Sequence, residues 1–342
     1  MTRRFFRRWV RFSLVLVYSV VSAGAAVRMT GSGMGCPDWP KCFGHYVPPT
    51  DEEQLLWEPE KSFRKGQMII CDSALFSAVR DLRTGTDYNP ANWRRYTRQD
   101  YAAFNAYHTW MEYVNRLIGA LAGLAVLALA LFSLFVPKDL KSALWISWLA
   151  VWLMGLQAWL GAWVVYSALQ AARVSLHMLM AWVIIALLLL LLVRCSPAKP
   201  AAPDKRVRRI AFVAWLILLI QALLGTQTRQ FVDAVSAVLP FDPSKWLAQP
   251  APFFYMHRSF SILVLLAYAY LFYKVRMRFK IRDNRIALVF GLLFVEAAVG
   301  ASMAYLSFPF GMQALHLVLS SLVFGLGFYI WIKPPQGLTR QP

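Results

Sequence analysis

Apolar residues along this chain gather into eight long blocks, separated by short polar or basic stretches and by one long polar segment. Residues 117–136 and 174–193 are each 20 residues without a formal charge. At about 1.5 Å per residue, such a run crosses a bilayer core of about 30 Å as a helix. The pattern predicts eight membrane-spanning helices, at 12–28, 113–136, 143–166, 174–193, 210–228, 254–273, 286–305 and 312–332. Composition agrees, with 58% hydrophobic and 15% charged residues and a mean hydropathy of +0.47. Soluble domains are typically about 45–50% apolar and about 25% charged. A soluble enzyme, a disordered chain and a secreted disulfide scaffold are excluded.

The net charge of +19 raises the possibility of a nucleic-acid partner. The basic residues instead flank the apolar blocks, so no nucleic acid is expected and the lipid bilayer is the partner. With the N-terminus in the cytoplasm, 21 of the 36 basic residues fall on the cytoplasmic side, against Asp139, Asp204 and Asp283. The opposite short loops hold only Arg173, Arg229 and Lys245. The positive-inside rule therefore places both termini in the cytoplasm, long loops being exempt from the count. An alternative reading of residues 1–26 as a cleaved signal, from the Ser22-Ala23-Gly24-Ala25-Ala26 stretch, is opposed by the repeat described next.

Two copies of one unit follow each other. Gly24-x3-Arg28 ends the first span and Gly225-x3-Arg229 the fifth; Asn115-Arg116 opens the second and His257-Arg258 the sixth. Gln157-x3-Gly161 lies in the third span and Glu296-x3-Gly300 in the seventh, with His177 and His316 each 16 residues after the glycine. Both copies enter the membrane in the same direction, which makes them parallel repeats. The expected architecture is all-α, two pseudo-symmetric four-helix bundles: residues 1–195, a cytoplasmic linker at 196–209, and 210–342. The first copy carries 59 extra residues, an extracytoplasmic insertion at about 45–105 in which short helices are expected.

His177, His257 and His316 open even-numbered spans, at similar depth near the outer face. Ionisable groups at that depth are costly and usually functional; a hydrogen bond to a neighbouring helix is the plainer account of any one alone. Paired imidazoles on facing helices suit axial ligation of haem iron. Zinc would want four ligands, and no cysteine or carboxylate cluster completes them. Arg28, Arg116, Arg229 and Arg258 could pair with haem propionates, or snorkel to the interface. Glu112 shares a helical face with Asn115 and, two turns outward, with His108; it could move protons or simply pair with Arg116. Cys36 and Cys42 lie outside the membrane, where disulfides persist, and the short loop between them can close. Cys71 has no evident partner, and Cys195 reads as an inert thiol at a cytoplasmic helix end.

The string Val27-Arg28-Met29-Thr30-Gly31-Ser32-Gly33-Met34-Gly35-Cys36-Pro37-Asp38-Trp39-Pro40-Lys41-Cys42-Phe43-Gly44 resembles the first extracytoplasmic loop of the haem A synthase family. The resemblance continues through Glu112-Tyr113-x-Asn115-Arg116, His177, His257-Arg258 and His316. It implies a membrane oxidoreductase of cytochrome oxidase assembly that oxidises the C8 methyl of haem O to a formyl group through a hydroxylated intermediate. By the same resemblance a haem b cofactor sits between His257 and His316, haem O binds the N-terminal bundle on His177, and Glu112 is tied to catalysis. Arg28 and Arg116 would anchor the substrate, Arg229 and Arg258 the cofactor, and Cys36 and Cys42 would form the disulfide of many members. Haem O synthase and oxidase assembly factors are the protein partners it suggests, in a bacterial plasma (inner) membrane, the latter also from the missing transit peptide.

One position departs from the family's Glu-x-x-His-Arg motif: Asn115 stands where the histidine belongs. An amide is a poor haem ligand, so either the substrate iron is held by His177 alone, or His108 supplies the second ligand. The first is preferred, because His108 lies ~10.5 Å further along the helix axis. Two other classes use similar ligands, a non-catalytic haem carrier and a b-type electron-transfer cytochrome; Asn115 removes one of the four ligands that the cytochrome needs.

The orientation is testable directly. A reporter active only in the cytoplasm should work when fused to either terminus and fail when inserted in the 45–105 segment; the reverse pattern would invert the topology.

Overall fold

A computed structural model describes residues 2–97, 104–196, 205–240, 242–247, 251–278, 281 and 283–335. Eight helices in it are long and apolar enough to cross a membrane: α1 (Arg3–Met29), α2 (Ala106–Ser133), α3 (Lys141–Tyr166), α4 (Ala171–Arg194), α5 (Lys205–Val238), α6 (Pro252–Tyr273), α7 (Asn284–Tyr305) and α8 (Met312–Ile332). The protein is a multi-pass all-α membrane protein. Helical spans are the form such sequences must take, because the backbone's polar groups find no water in hydrocarbon. Several helices begin where a side chain satisfies an unpaired N–H. Thr2 accepts from Phe5 N at 3.3 Å, Asn105 from His108 N at 3.2 Å and Asp283 from Arg285 N at 2.9 Å.

Two helices outrun the apolar blocks. α1 starts at Arg3 rather than near residue 12, carried through its arginines by the Thr2 cap and an ion pair from Arg3 to Asp139 in the α2–α3 turn. α5 runs past the expected end at 228 to Val238. Its 34 residues make about 51 Å of helix, so it projects beyond the hydrocarbon and carries Asp233 with it. The expected linker at 196–209 lies largely outside the described residues; α5 is already helical at Lys205.

Helices α1 to α4 touch one another in cyclic order, and α5 to α8 do the same; α1 and α4 also lie against α8. The contact on α8 is made by small residues. Trp182 of α4 donates to Ser321 Oγ at 2.8 Å and stacks on Phe324, ring centres 4.6 Å apart. Tyr18 of α1 donates to Ser321 O at 3.3 Å. A Cβ on Gly325 would stand 2.0 Å from the Tyr18 hydroxyl, and one on Gly327 would stand 2.4 Å from that of Tyr268 on α6. Glycines that let a neighbouring side chain seat directly on the helix backbone are one way helices associate where no hydrophobic effect drives them together.

Of the short helices expected in the insertion, two 3-10 turns are present; its described residues also form five short strands that were not expected: β1 (Ser62–Phe63), β2 (Met68–Cys71), β3 (Ala74–Ala78), β4 (Leu82–Arg83) and β5 (Trp93–Arg95). They form an antiparallel β2-β3-β5 sheet and a β1-β4 pair. The physical reason is local. Asp72 and Ser73 both take positive φ, 46° and 57°, and close a two-residue hairpin that pairs Cys71 with Ala74. Ile69 and Ile70 supply stiff β-branched side chains just before that turn. Leu55, Met68 and Leu75 then pack with Cys36, Cys42 and Phe43 in one apolar cluster, so the insertion and the cysteine loop share a core.

The small-residue contact yields a stability prediction. Gly325→Ala should force the Tyr18 hydroxyl off Ser321 and cost about 1–3 kcal/mol, read as a lower unfolding midpoint in detergent. Adding Tyr18→Phe should recover part of the loss, since the obstructing oxygen is gone.

Candidate functional site

The ends of the helices on the side of the cysteine loop carry one arrangement four times. A glycine on each odd-numbered helix faces a polar side chain at the start of the next helix. Cβ atoms built on Gly161, Gly225 and Gly300 would lie 3.3, 2.9 and 3.4 Å from Cε1 of His177, His257 and His316. On Gly24 the same atom would lie 4.0 Å from Asn115 Oδ1. The helices can come this close only because the glycines present no side chain. Four residues before each glycine the chain has Val20, Gln157, Gln221 and Glu296.

His257 and His316 face each other with ring centres 6.4 Å apart and planes crossed at 82°. Two imidazoles bound to one metal from opposite sides, each nitrogen about 2 Å from it, have ring centres about 6 Å apart. The other nitrogen of His257 is occupied in the way such ligation requires, its Nδ1 lying 3.1 Å from Gln221 O. Nδ1 of His316 lies 3.3 Å from Glu296 Oε1, within ion-pair distance but not hydrogen-bonded to it. Both Nε2 atoms are left for a metal. The donor set fits a metal-centred macrocycle held between α6 and α8.

His177 has a different setting. Gln157 Nε2 lies 3.3 Å from His177 Nε2 and donates to His177 O at 3.1 Å, while His177 Nδ1 is buried without a partner. Asn115 Oδ1 is likewise buried and unpartnered. His108 is not turned to fill that position: its Nδ1 is 2.8 Å from Ser32 Oγ, in the loop after α1.

Glu112 is buried, and both of its oxygens are engaged. Oε2 accepts the Cys36 N–H at 2.9 Å, and Oε1 accepts from Arg116 Nη2 at 2.5 Å. Arg116 Nη1 donates to the carbonyls of Asp38 and Lys41 at 2.9 and 2.7 Å. The Cys36–Cys42 disulfide is formed, and these bonds fasten its loop onto α2. Thr109 Oγ1 donates to Gly35 O at 2.8 Å, and a Cβ on Gly35 would stand 2.4 Å from His108 O. Burial pushes the Asp38 carboxyl above the ordinary carboxylate range, against the pull of the Gly44 N–H and of Arg116.

The four arginines have different partners. Arg28 and Arg229, equivalent in the repeat, both pair with Asp233, and Arg229 also donates to Gln313 Oε1 at 2.6 Å. Arg116 is bound to the cysteine loop. Arg258 lies 5.4 Å from the Tyr255 ring centre and 3.5 Å from the Tyr305 hydroxyl. Four residues of this region escape a reading of the sequence: Ser32, Gln221, Asp233 and Ser320. Gln221 had a signal, the same Gln-x3-Gly spacing as Gln157 and Gly161, and Asp233 had one in its i+4 position after Arg229. Ser32 and Ser320 had none.

Comparison with known proteins places this geometry. A sequence model of the family described as "Cytochrome oxidase assembly protein" matches residues 7–71 and 89–327. A curated protein named "Heme A synthase" from Shewanella oneidensis is 27% identical, over 95% of this chain and 96% of its own length. Proteins of that name from Mesorhizobium japonicum and Sinorhizobium medicae are 22% and 25% identical, each over 96% of this chain and 90% and 89% of their own lengths.

The loop clamp predicts a measurable weakness. Arg116 and Glu112 side chains are 14% and 5% exposed, and breaking one partner of a buried pair costs about 3–5 kcal/mol. Arg116→Ala should lower stability by about 3 kcal/mol and speed amide exchange across residues 36–44. Unchanged exchange would mean that the insertion alone holds the loop.

Proposed function

Because the chain belongs to the cytochrome oxidase assembly family, we propose that it is a haem A synthase, which oxidises the C8 methyl of haem O to a formyl group through a hydroxylated intermediate. The observation that carries the reading is the crossed pair His257 and His316, 6.4 Å between ring centres, each seated against a glycine and each with Nε2 available. Haem b is the cofactor that this pair would hold, and when bound it supplies one-electron transfer. Arg229, one turn after Gly225 on α5, and Arg258, next to His257 on α6, would anchor its propionates. The cyclic contacts of α1–α4 and of α5–α8 support a reading as two pseudo-symmetric bundles, residues 1–195 and 210–342.

In the N-terminal half the substrate is haem O. His177 is its one histidine ligand from the facing pair, because Asn115 occupies the partner position and His108 is bound to Ser32. Gln157 releases His177 Nε2 for that role by keeping its bond to the backbone carbonyl. Arg28 would turn from Asp233 to a propionate, and Arg116 holds the loop that roofs the site. Glu112 sits where α2 meets that roof, with a proton-exchanging carboxyl in reach of Cys36 N–H and Arg116. The surplus of basic residues in the short loops on one side supports both termini in the cytoplasm; a bacterial plasma membrane is the expected location, and haem O synthase and oxidase assembly factors are the partners of such an enzyme.

A non-catalytic haem carrier has one observation in its favour. Both oxygens of Glu112 are occupied by structural hydrogen bonds, so the residue could serve the loop alone. Glu112→Gln separates the readings, since the amide keeps one acceptor for Cys36. In membranes supplied with haem O, the enzyme reading expects normal haem content with loss of the hydroxylated and formyl products; full product formation would leave Glu112 a clamp only. Absence of both products from the unaltered protein would favour the carrier.

A further inference from the structure

The partners of the three half-buried histidines differ in one respect that the repeat makes visible. At the position four residues before the shelf glycine, α3 and α5 have glutamines, α1 has Val20, and α7 has Glu296. Gln157 and Gln221 donate from Nε2 to the backbone carbonyls of His177 and His257 at 3.1 and 3.0 Å. A carboxylate cannot make that bond. Glu296 faces the ring instead, with Oε1 3.3 Å from His316 Nδ1, an atom that has no hydrogen-bond partner and so is free to donate to it once the ring is held by a metal. The same oxygen accepts from the hydroxyl of Ser320, one turn after His316 on α8. Ser320 thus holds the carboxyl against the imidazole from the histidine's own helix. The corresponding residues on α4 and α6 are Ala181, and Ser261, whose hydroxyl turns to Arg258 O at 2.6 Å. Among the described residues, Glu296 is the one carboxylate in contact with any of these three rings.

We propose that Glu296 is a positioning residue for His316, accepting its Nδ1–H so as to fix the tautomer that offers Nε2 to haem iron and to make that ligand more electron-donating than His257. Hydrogen bonding of a ligand's second nitrogen to a carboxylate orients the ring and raises its basicity. A backbone carbonyl, the partner of His257 Nδ1, does this less because it carries no net charge. The two sides of the iron are therefore unequal, and the more basic ligand favours the oxidised metal. The site is set for an electron carrier of lowered potential, with Ser320 holding the acceptor in place. This inference rests on the reading of His257 and His316 as the haem-binding pair.

The test uses the purified full-length protein carrying its haem. Haem content is measured first in His257→Ala and His316→Ala; if neither loses haem, the pair reading falls and this proposal with it. Redox titration and low-temperature electron paramagnetic resonance then compare the unaltered protein with Glu296→Gln. The expected result is haem content unchanged, midpoint potential raised, and low-spin g-values shifted. An unaltered potential and spectrum at full haem content overturn the proposal, because a residue that only joins α7 to α8 would move neither. If Glu296→Gln does not retain haem, Glu296→Asp serves in its place, since it keeps the charge but draws the carboxyl back from Nδ1. An upward shift there supports the hydrogen bond as the cause, and an unchanged potential overturns it.

Discussion

The half of this protein on the side of the cysteine loop depends on the close approach of an imidazole or amide to a glycine on the preceding helix. The Cε1 atoms of His177, His257 and His316 sit 2.9–3.4 Å from where the glycines' Cβ atoms would be. A side chain at any of these positions would push the ring away and with it the helix that carries it. In lipid, helices are not driven together by burial of apolar surface, so contacts of this kind and buried polar pairs do the positioning. Gln157, Gln221 and Glu296 sit one turn from the glycines, and each adds a contact to the histidine beside it. Glycine, polar residue and histidine form a unit of helix contact, and the proposed function makes the same unit a ligand holder.

A second element is built on top. The Cys36–Cys42 loop is joined to α2 through Glu112, Arg116 and Thr109, to α3 through the Tyr166 hydroxyl bonded to Trp39 O at 2.8 Å, and to the insertion through shared apolar packing. The roof of the first helix group is thus rigid, and its buried ion pair is exposed to water hardly at all. In the second helix group the corresponding connection is the outer end of α5, where Asp233 gathers Arg28 and Arg229. That carboxylate ties equivalent arginines of the two repeats to one point.

Much of this was legible in advance, and the misses have physical causes. The eight spans, the repeat and the histidine positions are written in one-dimensional spacing, which a helix of fixed rise converts directly into depth and face. The ends of α1 and α5 were not legible because caps and ion pairs, rather than hydropathy, extend them. The strands of the insertion were missed because their signal is short: two isoleucines and an Asp72-Ser73 turn, in a segment otherwise polar. Arg28 and Arg229 were readable as functional cations, but their common partner was hidden in a stretch expected to be loop.

Hydropathy in the sequence alone determined that this chain has eight helices long and apolar enough to cross a membrane, because crossing hydrocarbon constrains length and composition at every span. Spacing also put the three histidines near the starts of three even-numbered helices. Which side chains meet was decided only by tertiary structure. Helix packing turned His257 toward His316, left Asn115 opposite no partner, and set a carboxyl against one imidazole and a carbonyl against the other. Such differences arise from contacts between helices far apart in sequence, and the pattern along any single helix does not encode them.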